Sequence, residues 1–169
     1  MSMGEARIAV IGAGLMGHGI AQVFALAGHP VAVTDSVEEN LASLKDRIRA
    51  NLRDLGDDEN AVERVRAVPD LAAAVNDADF VVEAVSEDLP LKQKLFAEME
   101  TLAQPHCALT SNSSSFPISE IGKGLKTQGR MMGLHFFMPA HLIPLVEVVR
   151  STHTDVTLAE TVEIGRAHV

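Results

Sequence analysis

The first residues able to do chemistry are Gly12-Ala13-Gly14-Leu15-Met16-Gly17, which fit the spacing G-x-G-x-x-G. The first glycine permits a tight turn, the second lets backbone approach a pyrophosphate, and the third lets a helix pack closely on a strand. A helix opening at Leu15 and Met16 adds free N–H groups and a partial positive charge for the phosphates. Asp35 stands eighteen residues past Gly17, at the end of the next apolar run. Its carboxylate can accept hydrogen bonds from adenosine ribose hydroxyls and repels a 2′-phosphate, which favours NAD over NADP. Six residues alone are a weak signal. The strand before them, the helix after them and a second strand ending in an acid supply the required context. The bland alternative is an ordinary strand-to-helix turn with Asp35 as a helix cap.

Other candidates lie further along. They are the polar run Ser111 to Ser115, His135 between Leu134 and Phe136, and Glu147 in Leu-Val-Glu-Val-Val. By pattern alone the run passes as a polar loop, His135 as a satisfied core histidine, and Glu147 as a solvent-facing strand position. His18, His29, His106, His141 and His153 share no ligand spacing, so no metal is assigned. The single cysteine, Cys107, sits in an apolar run and reads as an inert buried residue.

Positioning these groups requires an alternation of elements. Apolar runs predict strands at Arg7–Ile11, Val31–Thr34, Asp79–Val85, Cys107–Thr110, Met131–Phe137 and Leu145–Val149. Helices are expected at Leu15–Ala27, closed by Gly28 and Pro30, and at Val37–Leu55, with a break at Gly56. A short one follows at Asp58–Arg66, and Leu89–Ala103 carries apolar residues at Leu91, Leu95, Met99 and Leu102. Strands alternating with helices give an α/β fold with a mainly parallel sheet, and the glycine loop at its first junction makes it doubly wound and Rossmann-type.

Composition narrows the function classes. The 169 residues are 47% hydrophobic and 22% charged, ordinary values for one globular domain. With six Phe and no Trp or Tyr, the core must be built from aliphatic side chains. A formal charge of −9 argues against a nucleic-acid partner, which needs clustered Lys and Arg. No apolar stretch approaches the roughly 20 residues of a membrane span. The N-terminus has no signal-peptide pattern, so a cytoplasmic location is expected.

Four segments resemble the NAD-binding domain of the 3-hydroxyacyl-CoA dehydrogenases. They are Gly12–Ala21 (GAGLMGHGIA), Phe80–Leu95 (FVVEAVSEDLPLKQKL), Ser111–Ser115 (SNSSS) and Gly133–Arg150 (GLHFFMPAHLIPLVEVVR). The resemblance implies oxidation of a (3S)-3-hydroxyacyl-CoA to the 3-oxoacyl-CoA by hydride transfer to NAD, as in fatty acid beta-oxidation. It makes His135 the base that removes the hydroxyl proton, Glu147 its carboxylate partner, and Ser114 the serine that hydrogen-bonds the reacting oxygen. Glu87, Lys92 and Asn112 would line the ribose and nicotinamide side. Imidazole suits the proton transfer, and a carboxylate on its other nitrogen fixes the tautomer and stabilises the imidazolium.

This sequence departs from the family at Met138, where an Asn is usual, and in a shorter stretch between Asp35 and Pro69. Lys45, Arg47, Arg49 and Arg53 in that stretch read as a solvated helix face, with contact to CoA phosphates as the alternative. With Ile143-Pro144-Leu145, these departures resemble relatives that oxidise free 3-hydroxy acids, such as gulonate and carnitine dehydrogenases. A non-catalytic NAD-binding or structural protein is the reading from another class. Family members continue into a helical domain that closes the cleft and makes a homodimer. That domain is expected to be missing here, leaving a fragment. Residues 163–169 can be encoded by a nucleotide string containing a widely used sequencing adapter. The NAD-binding domain is therefore expected to span 1–162, with a non-native tail after it.

Overall fold

The computed structural model describes residues 6–166, without the side chains of 163–166. The tail singled out above thus lies outside the described residues in its side chains, and from Ala167 in its backbone. Among the described residues one sheet holds β1 (Ile8–Ile11), β2 (Val31–Thr34), β3 (Val65–Ala67), β4 (Phe80–Glu83), β5 (Ala108–Ser111), β6 (Met131–Phe136) and β7 (Val146–Val149). Their spatial order is β3-β2-β1-β4-β5-β6-β7. Every pairing is parallel except β6 with β7. The expected α/β, Rossmann-type fold is therefore the observed one.

Sequence explains the centre of the sheet. β1, β4 and β5 are buried on both faces, so they are continuous short runs rather than alternating ones. Successive side chains still part to opposite faces. Ile8 and Val10 join Phe80 and Val82 in one core layer, while Ala9 and Ile11 join Val81 and Leu109 in the other.

The first layer is covered by α1 (Leu15–Leu26), through Ile20 and Phe24, and by α3 (Leu44–Leu55), through Leu44, Ile48 and Leu52. Four-residue spacing puts those three α3 residues on one stripe, and Gly56 caps the helix in the left-handed conformation at φ 74°. The second layer is covered by α4 (Leu71–Val75), α5 (Leu89–Leu102) and α6 (Ile118–Ile121). Helix α7 (Val156–Arg166) packs Val162 against the first layer. Cys107 is buried as expected, and burial pushes its thiol pKa up to about 12.

The structure corrects several expectations. The long helix expected over 37–55 is two helices, α2 (Glu38–Ala42) and α3, parted at Ser43, whose hydroxyl donates back to Glu39 O at 2.8 Å, a bond that bends helices. The short helix expected at 58–66 is a 3-10 turn at Glu59–Arg64 that runs straight into β3. In α5 the inward face is Lys92, Phe96 and Met99, while Leu91 is exposed and lines a cleft with Leu95.

At the opposite end of the sheet from that cleft, Asp79 staples three strand starts. Its Oδ2 accepts from Arg7 N (2.8 Å) and Nε (3.1 Å), and its Oδ1 accepts from Arg7 NH2 (2.9 Å) and His106 Nε2 (2.9 Å). The Arg7 hydrogen bond, opposed by burial and helped by His106, holds the Asp79 pKa well below the usual carboxylate range. A depressed carboxyl pKa contributes stability above about pH 4 that is lost as pH falls below it. Asp79→Asn is therefore expected to lower Tm by roughly 2–4 °C at neutral pH. In melts from about pH 4 toward about pH 2 the gap to the parent should narrow; a gap that widens there refutes the account.

Candidate active site

The carboxyl ends of β1, β2 and β4 open on a cleft of about 560 Å³. β1 lies between β2 and β4, so the cleft sits where the strand order reverses, the usual ligand crevice of such sheets. Gly12, Gly14, Leu15, Met16 and Asp35 line it. Gly12 has φ +104°, and a Cβ there would lie 2.5 Å from Ala84 O. A Cβ on Gly17 would lie 1.8 Å from Gly12 O, so Gly17 stands behind the loop and holds α1 against the turn. Gly14 has open space around it, with nothing within 4 Å of an added Cβ, and α1 begins there without a side-chain cap. Its first N–H groups are left for a ligand. These residues fit a dinucleotide.

Asp35 has two duties. Its Oδ2 accepts from Ala13 N (2.6 Å) and Asn40 Nδ2 (3.1 Å), and its Oδ1 from Val37 N (2.8 Å), while the carboxylate faces the cleft. Arg47 is not the solvated charge expected from the sequence. It reaches under the glycine loop, donating NH2 to Ala13 O (2.7 Å) and Asn40 O (2.8 Å) and NH1 to Gly14 O (3.4 Å). Burial lowers its pKa and nearby Asp35 opposes the shift. Lys45 and Arg49 pair with Glu63, and Arg53 with Glu59. His18 Nδ1–H donates to Gly14 O at 2.9 Å, and burial lowers its pKa, opposed by that hydrogen bond.

A second pocket, of about 280 Å³, is lined by Ser113, Ser114, Ser115, His135 and Glu147. Antiparallel pairing of β6 with β7 puts His135 directly opposite Glu147 in register. The ring Nδ1 lies 3.0 Å from Glu147 Oε2. An ionised carboxylate only accepts, so Nδ1 carries the proton and Nε2 is left as the acceptor. The His135 side chain is 24% exposed and Glu147 55%, so the carboxylate is anchored by its strand more than by burial. Phe137 packs on the imidazole with ring centres 4.8 Å apart.

Between the pockets lie the remaining candidates. Asn112 Oδ1 accepts from Phe136 N at 2.8 Å, tying the loop after β5 to the end of β6. Glu87 Oε1 accepts from Ser113 Oγ (2.5 Å) and Ser115 N (3.0 Å). Burial works against its charged form, but those bonds and Lys92 outweigh it and hold the Glu87 pKa below the ordinary value. Contrary to the sequence reading, none of Glu87, Asn112 and Lys92 is among the residues lining either pocket, and Lys92 is the most deeply buried of the three. At 1% exposure its ammonium is paired underneath with Glu83 (2.7 Å) and Glu87 (3.3 Å). Glu83 was missed altogether. Its signal was an acid closing the apolar run Phe80-Val81-Val82, with an opposite charge nine residues on.

A family model described as "3-hydroxyacyl-CoA dehydrogenase, NAD binding domain" matches residues 7–168. A probable 3-hydroxyacyl-CoA dehydrogenase of Caenorhabditis elegans is 38% identical over 95% of this chain and 56% of its own length. Among solved structures, the 3-hydroxybutyryl-CoA dehydrogenase of Escherichia coli K12 superimposes with a TM-score of 0.91 at 37% identity, over 98% of this chain and 37% of that one. A diketoreductase, described for dual catalysis of dicarbonyl compounds, also gives a TM-score of 0.91, at 28% identity over 98% of this chain and 62% of that one. The chain thus spans about half the length of the worm relative and just over a third of the bacterial one.

Proposed function

The chain belongs to the family of 3-hydroxyacyl-CoA dehydrogenase NAD-binding domains, and on that premise we propose that it serves oxidation of a (3S)-3-hydroxyacyl-CoA to the 3-oxoacyl-CoA. Bound NAD supplies the acceptor for the hydride leaving C3. Asp35 and the α1 N-terminus hold its ribose and phosphates. His135 Nε2 takes the hydroxyl proton as the hydride departs, and the Ser114 hydroxyl donates to the oxygen that becomes the carbonyl. Glu147 keeps the proton on Nδ1 beforehand and stabilises the imidazolium afterwards. The observation that carries this reading is the register match of His135 with Glu147, at 3.0 Å, in one pocket with Ser114.

A second reading, oxidation of a free 3-hydroxy acid, is favoured by one feature. Met138, where the family usually has an Asn, is 61% exposed and brings no strong hydrogen-bonding group. NADH formation decides between them, measured with the protein completed by its native downstream sequence. A short 3-hydroxyacyl-CoA is compared with carnitine, gulonate and free 3-hydroxybutyrate at equal concentrations. Turnover with the thioester alone is expected; turnover with a free acid alone replaces the first reading by the second. A cytoplasmic location and a homodimer built through a further helical domain belong to the same proposal, checked by fractionation and sedimentation.

A further inference from the structure

Glu83 is the last residue of β4 and is 0% exposed. A buried ion pair adds little net stability, because desolvating two charges offsets their attraction. What distinguishes the Glu83–Lys92 pair is where its hydrogen bonds lead. Glu83 Oε1 accepts from Val85 N (2.8 Å) and Lys92 Nζ (2.7 Å), and Oε2 accepts from Ser111 Oγ (2.6 Å).

Toward the cofactor cleft, Val85 is flanked by Ala84 and Ser86, and all three line the wall. Ala84 O is also the atom against which Gly12 packs. Toward the second pocket there are two routes. Ser111 Oγ accepts from Ser113 N at 3.2 Å. Lys92 Nζ reaches Glu87 Oε2 at 3.3 Å, and Glu87 Oε1 holds Ser113 Oγ and Ser115 N. Ser113 Oγ in turn accepts from Phe116 N at 3.0 Å. A single buried carboxylate thus fastens the wall of one pocket and the loop carrying Ser114 in the other.

We propose that Glu83 and Lys92 are positioning residues that couple the two pockets, so that a dinucleotide seated against Ala84–Ser86 orders the Ser113–Ser115 loop before substrate arrives. The inference rests on dinucleotide binding at the glycine loop and not on which hydroxy compound is oxidised. The path is a contiguous set of hydrogen bonds, the kind of network that transmits such an effect. Coupling between sites commonly amounts to about 5-fold or more in an equilibrium.

Amide hydrogen exchange on the full chain, with and without saturating NADH, tests it. NADH is expected to slow exchange at Ser113, Ser115 and Phe116 by about 5-fold or more, alongside slowing in the glycine loop. In the double variant E83Q/K92M no charge is left buried and unpaired; there the glycine-loop slowing should persist and the serine-loop slowing vanish. Should that variant fail to fold, the double variant S111A/E87A removes both routes while leaving the Glu83–Lys92 pair in place, with the same expected result. Serine-loop slowing equal in parent and variant overturns the proposal. So does its absence from a parent whose glycine loop is protected. Absence of protection at both loops in the parent overturns the dinucleotide reading as well, whereas a parent that binds NADH but fails to oxidise acyl-CoA leaves the coupling standing and removes only the substrate reading.

Discussion

Replacing His135 by alanine is expected to lower kcat by about 10²–10⁴-fold, the range for loss of a positioned general base, while leaving NADH affinity within about 2-fold. The split follows from the geometry. His135 lines the smaller pocket with Ser114 and Glu147, whereas the dinucleotide cleft is built from Gly12, Gly14, Asp35 and Ala84 and does not include it. Only the proton transfer should suffer, so titration of NADH fluorescence and steady-state turnover on the same preparation must diverge. Glu147→Gln removes the charge that steadies the imidazolium but retains an oxygen acceptor for Nδ1–H. Because Glu147 is half exposed and water screens it, its loss should be smaller than the roughly 10⁴-fold known for a buried triad carboxylate. Equal NADH-forming activity in His135→Ala and the parent would sink the catalytic assignment and revive the non-catalytic reading. A parallel fall in NADH affinity would mean that the two pockets are not separate.

The second large effect separates two glycines of one loop. At Gly17 an added Cβ would sit 1.8 Å from Gly12 O, a backbone atom that cannot swing away, so Gly17→Ala must push α1 away from the turn after β1. Overpacking of this kind destabilises by about 1–3 kcal/mol and sometimes more, and urea unfolding should read it directly. At Gly14 the added methyl meets nothing within 4 Å. Gly14→Ala should therefore leave the urea midpoint nearly unchanged. Its methyl would occupy space where the backbone meets the pyrophosphate, so NADH should bind about 10-fold or more weakly, on the order of the 1.4 kcal/mol that a tenfold change represents. If Gly14→Ala binds NADH as the parent does, the phosphates do not lie against that turn. A stable Gly17→Ala would mean that the loop can relax around a contact the structure makes rigid.

Legibility followed burial. The central strands were plain because parallel strands covered on both faces spell unbroken apolar runs, as in Ile8–Ile11 and Phe80–Glu83. β3 was missed because only Val65 of its three residues is buried, and α4 and α6, at five and four residues, are too short to show a periodicity. Arg47 was misread for a related reason. Its neighbours Lys45 and Arg49 do pair on the surface with Glu63, and nothing local marks Arg47 as the one that turns inward to three carbonyls.

By itself the sequence determined the glycine turn, its acid partner at the end of β2, and the set of polar residues on which the site draws. Those features are local, because steric demands at Gly12 and Gly17 and the order strand, turn, helix are written within a few consecutive residues. Tertiary structure alone decided the pairings. His135 meets Glu147 through a strand register, and a slip of one residue would turn Glu147 to the other face. Glu83 at the end of β4 meets the Ser111 hydroxyl because β5 is the strand that pairs beside it. Such partners are chosen by how the whole sheet buries its two faces, a condition that no stretch of sequence contains.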